Sequence, residues 1–506
     1  MNKNTKKLTM MSLILMIFTS VFGFNNMPRS FYLMGYAAIP WYIVSGITFF
    51  VPYALMMAEF GSAFKDEKGG IYSWMDKSVG PKFAFMGTFM WYASYVIWMV
   101  SSCSSIWINV SSSIFGKDTT QTWGIFGLKP TQVLGLLGIC LIITITFTAT
   151  KGLDKVKKVT AIGGSAVAFL NIMLIVCAVF LLIAHGGKLA QPIEGIKSFT
   201  VSPNANYLSA ISMCSFLVYA IFAYGGIEVV GGLVDQTENA EKNFPKAILI
   251  GAIIVSIGYS LGIFLFGTFT NWNSVLSSKS VTLGNLKIFI MSNLGYEMGL
   301  AFGVSKASAI IVGQWFARVF CLSGILASIG AFFTLCYAPL KQLIEGTPDK
   351  LWPGKMGQVK NGMPINAMKI QCVLVVCFIA LVTFGGEGAA KFFEKITIMT
   401  NVAMTLPYMF LSIAFISFKK KDSIKKPFVI FKNKTFAIFT SVVVTFTVGF
   451  ANVFSIIQPA IKKGDISSTL WSIAGPVFFS VVALVMYKRY EKNCAKTEGI
   501  TEEKSA

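Results

Sequence analysis

Runs of eighteen or more predominantly apolar residues recur along the whole 506-residue chain, and no other feature restricts its fold so strongly. As a helix, each run is long enough to cross a hydrocarbon core of about 30 Å. Lipid offers backbone N–H and C=O groups no partners, so uninterrupted runs of this length close their hydrogen bonds within helices. In order they fall near residues 10–34, 38–61, 83–113, 130–150, 160–184 and 207–233, then 246–270, 308–338, 365–385, 391–418, 435–459 and 467–487. The expected fold is an all-α polytopic membrane protein of about twelve transmembrane helices. Composition agrees, since 55% of residues are hydrophobic and only 13% charged, too few charges to cover a water-soluble surface.

The net charge of +21 raises nucleic acid as a partner, but its placement argues for a lipid bilayer. Lysines crowd alternate loops, among them Lys151, Lys155, Lys157, Lys158 and the run from Lys419 to Lys434. That bias marks the cytoplasmic side and puts both termini there, residues 1–9 and a charged, disordered tail over 488–506. The first apolar run is too long for a signal peptide and lacks a small-residue cleavage site. The nine cysteines show no paired metal-ligand spacing, and His185 is the one histidine, so neither a metal, a cofactor nor a histidine switch is expected. Leu283–Leu294, in the longest loop, is mildly apolar and is expected along the membrane surface.

Two spans are interrupted in corresponding places. The first contains Phe22-Gly23-Phe24-Asn25-Asn26-Met27-Pro28-Arg29, and the sixth contains Tyr224-Gly225-Gly226-Ile227-Glu228 followed by Gly231-Gly232. Glycine pairs and proline weaken a helix interior, and backbone freed at membrane depth is tolerated beside a cavity. The second break lies five spans after the first, and five is odd. Two five-helix halves, residues 10–185 and 207–418, would therefore lie in opposite orientations with two further helices over 435–487, the inverted repeat of many secondary transporters. Free N–H groups at such a break attract a carboxylate, and free carbonyls accept from an ammonium. Phe22, Phe24, Phe222 and Tyr224 either close over a small zwitterion or pack in the core. Charges within spans are rare and informative. Arg29, in the outer half of the first span, has snorkelling toward the outer surface as its plain reading; Arg318, about 15 Å into the eighth span at 1.5 Å per residue, either pairs with Glu228 or contacts solute or a gate.

Three segments resemble the amino acid–polyamine–organocation transporters. They are Ala58-Glu59-Phe60 with Glu67-Lys68-Gly69-Gly70-Ile71-Tyr72-Ser73-Trp74 after the second span, Phe222–Glu228 with Thr237-Glu238-Asn239 and Asn243-Phe244-Pro245-Lys246-Ala247, and Ser20–Pro28. The last is most similar to the glutamate:γ-aminobutyrate antiporter branch. It lacks the Gly-Ser-Gly of more typical members, and where glutamate-exchanging relatives have a basic residue near Asn25 this chain has a neutral amide. The resemblance implies that Phe22, Gly23, Phe24, Asn25 and Asn26 flank the solute together with Tyr224, Gly225, Gly226 and Ile227. It also implies that Glu228 serves proton coupling or gating and that Glu59 lies near the inner gate.

The expectation is a secondary active transporter, antiporter or proton symporter, for amino acids or small amines in a bacterial inner membrane. A channel shares the composition but does not need paired breaks. An enzyme would need a motif such as His-Glu-x-x-His, which the sequence lacks. A transporter-like sensor would carry a signalling domain, and every loop here is shorter than about 40 residues.

Overall fold

The computed structural model describes residues 7–278, 281–360 and 362–505, with side chains to residue 495. Among these residues eleven helices are long and apolar enough to cross a membrane, and Met10–Val21 is a shorter apolar helix. Paired β structure among them is limited to isolated bridges such as Leu8 with Thr237. The chain is an all-α polytopic membrane protein.

Both expected breaks are present. The first span is Met10–Val21 and Asn26–Met34, after which Gly35, at φ 57°, turns the chain into the second. The sixth is an α-helix over Ala210–Ala223 followed by a 3-10 segment over Ile227–Leu233. Its hinge is Gly226, at φ 117°, a backbone conformation that only glycine adopts cheaply. A Cβ at Gly226 would lie 2.3 Å from the Ser20 carbonyl oxygen, so the two breaks touch there backbone to backbone.

Other boundaries moved. The second span carries a π-helical turn at Gly46–Phe50, and the third divides into Pro81–Cys103 and Ser105–Phe115. The fifth starts earlier than expected, at Leu153. The tenth is itself broken, into Gly386–Ala403 and Leu406–Lys420, because Pro407 in the first turn of the second piece cannot donate back into the first. The tail expected to be disordered continues the last helix, which runs Ile466–Ser505; it has no proline beyond Pro476 and is rich in Glu, Lys and Ala, good helix formers. Leu283–Leu294 is expected at the membrane surface; instead a helix over Leu286–Ala301 buries Ile290, Met291 and Leu294 and packs Gly295 on Phe316 of the eighth span.

Behind the breaks stands a scaffold of close helix contacts. A Cβ on Gly163 of the fifth span would meet the Gly330 Cα of the eighth at 2.9 Å, and small residues permit such approach in place of hydrophobic drive within lipid. The 41-residue eighth helix, Lys306–Gly346, fixes the second half of the sixth span. Gln342 donates to the carbonyls of Glu228 and Val229 and accepts from Ile71 N–H. Lys341, fully buried, donates to the carbonyls of Gly232 and Lys68 and pairs with Asp235 at 2.7 Å.

Candidate functional site

The two breaks converge on one hydroxyl. Tyr259 of the seventh span (Ala240–Phe266) is buried, and its Oη accepts from Gly23 N–H at 3.0 Å and from Asn26 Nδ2 at 3.1 Å. Its single proton faces the carbonyl oxygens of Val21 at 2.9 Å and Ala223 at 3.0 Å. One oxygen thus occupies the donors and acceptors that the interrupted helices leave free. Asn26 completes the first break, its Oδ1 accepting from Tyr219 at 3.0 Å.

Glu228 lies directly beyond the second break with no exposure. Its Oε1 accepts from Trp91 Nε1 at 3.0 Å, Tyr95 Oη at 3.1 Å and Tyr408 Oη at 3.1 Å, and its Oε2 accepts from Gly226 N–H at 3.2 Å. Trp91 and Tyr95 stand four apart on the third span and so share a helix face; Tyr408 follows the break of the tenth. Four donors substitute for water around the carboxylate, and no cation is among them.

Of the two readings of Arg318, the pairing with Glu228 is therefore corrected. Arg318 lies on the eighth-span helix but turns another way. Its guanidinium lies against Gly116 at the end of the third span, where a Cβ would be 3.1 Å from Nη2, and 5.0 Å over the Trp315 ring. Its Nε is buried without a hydrogen-bond partner.

Of the two readings of Phe22, Phe24, Phe222 and Tyr224, three of the rings follow core packing. Phe22 and Phe24 are buried, edge-on to Tyr259 and tilted against Phe320. Tyr224 stacks on Phe50 at 4.6 Å and donates to the Tyr42 carbonyl, and Ile227 is fully buried. These rings are large apolar surfaces that packing claims first. Gly23 and Asn25 are exposed. Phe22 borders an apolar cavity with Leu174 and Gly258, and Phe222 lines a separate one beside the second break.

That cavity, about 630 Å³, runs from Phe222, Gly225 and Tyr408 at one end to Glu394, Lys462 and Asp465 at the other. Tyr408 both walls it and bonds Glu228, so one hydroxyl separates the buried carboxylate from the cavity. Hydrogen bonds from Ser468 hold the Asp465 carboxyl below the usual carboxylate range.

At the opposite, lysine-rich end the chain is cross-tied. Leu8 exchanges backbone hydrogen bonds with Gln236 and Glu238, and Lys65 pairs with Glu241 at 2.7 Å. Glu59 has no exposure; its Oε2 meets Lys419 at 2.8 Å and its Oε1 accepts from the N–H groups of Ile430 and Phe431, both at 2.7 Å. It joins the second span, the tenth and the connection to the eleventh. Lys419→Ala is expected to destabilise the protein by about 3–5 kcal/mol, because a buried charge loses its partner. Adding Glu59→Gln should recover part of that loss, as read from unfolding in detergent; additive losses would deny the coupling.

Residues 8–484 match the amino acid permease family. The chain is 55% identical to the inner membrane transporter YjeM of Salmonella typhimurium, covering 97% of each chain. It is 54% identical to its counterpart in Escherichia coli, covering 97% of this chain and 98% of that one. It is also 24% identical to the aspartate/glutamate permease AcaP of Lactococcus lactis, over 82% of this chain and 80% of that one. A family match along nearly the whole length and 55% identity to an inner membrane transporter lead to one conclusion: this chain belongs to the amino acid permease family and is a membrane transporter.

Proposed function

We propose that the protein is a secondary active transporter that moves amino acids or related small amines across a bacterial inner membrane by alternating access. The observation that carries this reading is the convergence of both breaks on the Tyr259 hydroxyl. A zwitterion replacing that hydroxyl would find Gly23 N–H and Asn26 for its carboxylate and the Val21 and Ala223 carbonyls for its ammonium, partners that lower the cost of leaving water.

In this reading the lysine-rich end is cytoplasmic and carries both termini. The Glu59–Lys419 pair and the Leu8 contacts hold it shut while the cavity beside Gly225 and Tyr408 faces the other side. Residues 10–185 and 207–418 act as inverted halves around the breaks. Glu228 takes up or releases a proton through Tyr408 as the halves exchange access. Arg318, away from both breaks, braces the third span against the eighth.

Counterflow in proteoliposomes tests the reading. Vesicles of purified protein preloaded with one amino acid or amine should accumulate the same labelled solute transiently, with saturation. Flux that never saturates, or no flux across a panel of amino acids, amines and their decarboxylation products, would overturn it.

A further inference from the structure

We propose that the transported solute carries a second carboxylate on its side chain and that Arg29 receives it, which makes acidic amino acids the substrate class. The inference rests on the transport reading above and gives that site its selectivity.

Arg29 follows Asn25 by one helical turn. Both are exposed, whereas Met27, Pro28 and Phe31 around them are buried. An arginine facing hydrocarbon from within a span costs roughly 2.5–3.5 kcal/mol or more, so the direction it faces matters. Its guanidinium carbon sits 4.7 Å over the ring of Tyr219, whose hydroxyl bonds Asn26 at the first break. Tyr219 is one turn from Phe222, a cavity wall, and in the other direction one turn from Ser215, which accepts from Gln458, another cavity wall. Arg29 therefore faces the sixth-span helix that carries Phe222 to the cavity, without itself forming the wall. Lys462, in the cavity wall, lies 6.0 Å over the ring of Tyr207, which packs edge-on to Phe216 of the same sixth-span helix.

Among the described residues no carboxylate pairs with this guanidinium. Among the described residues the ion pairs use Lys65, Lys77, Lys82, Lys341, Lys419 and Lys434, all toward the lysine-rich end. Asp465 is engaged by Ser468, which leaves Glu394 as the cavity wall's other acid against Lys462 and Lys463. A planar guanidinium with free donors takes a carboxylate in a two-point fork. One turn of helix, about 6 Å for four residues, separates Arg29 from Asn25. That spacing suits the short side chain of aspartate or glutamate when its backbone groups sit at Gly23 and Asn26.

Competition in proteoliposomes tests the proposal, with labelled L-aspartate and L-glutamate set against L-asparagine, L-glutamine and agmatine. The wild type should prefer each acid to its amide at least tenfold, which corresponds to about 1.4 kcal/mol. Arg29→Gln should bring that ratio close to one, and Arg29→Lys should restore part of it, with the unfolding temperature of each variant checked against the wild type. A wild type that prefers the amides or agmatine overturns the proposal and leaves the transport reading intact. An acid-to-amide ratio unchanged in Arg29→Gln does the same. Absence of uptake of every solute by the wild type would contradict the transport reading itself and this inference with it.

Discussion

Glu228→Ala is expected to remove transport and several kcal/mol of stability together. The substitution deletes the common acceptor of Trp91, Tyr95, Tyr408 and Gly226 N–H, and each buried donor left without a partner costs about 1–3 kcal/mol. Glu228→Gln separates the two roles. Its carbonyl oxygen can still accept from the indole and the two phenols, while its amide nitrogen faces the Gly226 N–H, donor against donor. The variant should fold, at a cost of about 1–3 kcal/mol, and should bind solute. It has no proton to exchange, so its uptake should no longer vary with pH where that of the wild type does. Uptake by Glu228→Gln with the wild-type pH profile would leave Glu228 a purely structural role.

The breaks were legible because their chemistry is local. Gly23 to Pro28 and the glycine pairs 225–226 and 231–232 weaken a helix wherever they occur, and the structure bends there. The twelve-span pattern was legible for the same reason, since hydropathy and length act within one segment. What closes the site was not. Tyr259, Trp91, Tyr95 and Tyr408 reach partners between 36 and 238 positions away, and in a single apolar span each reads as ordinary packing. Pro407 was the one local sign of the break in the tenth span.

Arg318 shows how depth and direction differ. Counting 1.5 Å per residue fixes how far a side chain lies along its helix. The direction it faces turns by about 100° per residue, following from 3.6 residues per turn, so the face depends on which neighbours pack against the helix. Gly116 offers Arg318 a gap in the third span, and Glu228 already has its donors. Glu59 teaches the converse. An acidic residue at the end of a span looks like an interfacial charge, yet here the segment after Lys419 folds back to enclose it.

Tyr259→Phe carries the other large effect, and its sign is unusual. Losing one oxygen removes the tie between the two breaks, leaving Gly23 N–H and the Val21 and Ala223 carbonyls to weaker partners. The unliganded protein should lose about 1–3 kcal/mol of stability. Solute, however, no longer has to displace a hydroxyl that already fills its hydrogen-bonding groups. Its affinity for the variant should therefore rise even as the protein weakens, since a competitor held within the chain lowers apparent affinity by the free energy of its own contacts.

On the proposed function, both broken helices form one solute site, held by Tyr259 until solute arrives. The direct measurement is an equilibrium titration of purified wild type and Tyr259→Phe with whichever solute counterflow identifies, followed by the rise in unfolding temperature. The account predicts a Kd about tenfold lower for Tyr259→Phe, equivalent to about 1.4 kcal/mol, from a lower starting stability. A Kd that is unchanged or higher in the variant would contradict it, because the hydroxyl would then be neither competing with solute nor standing in its place.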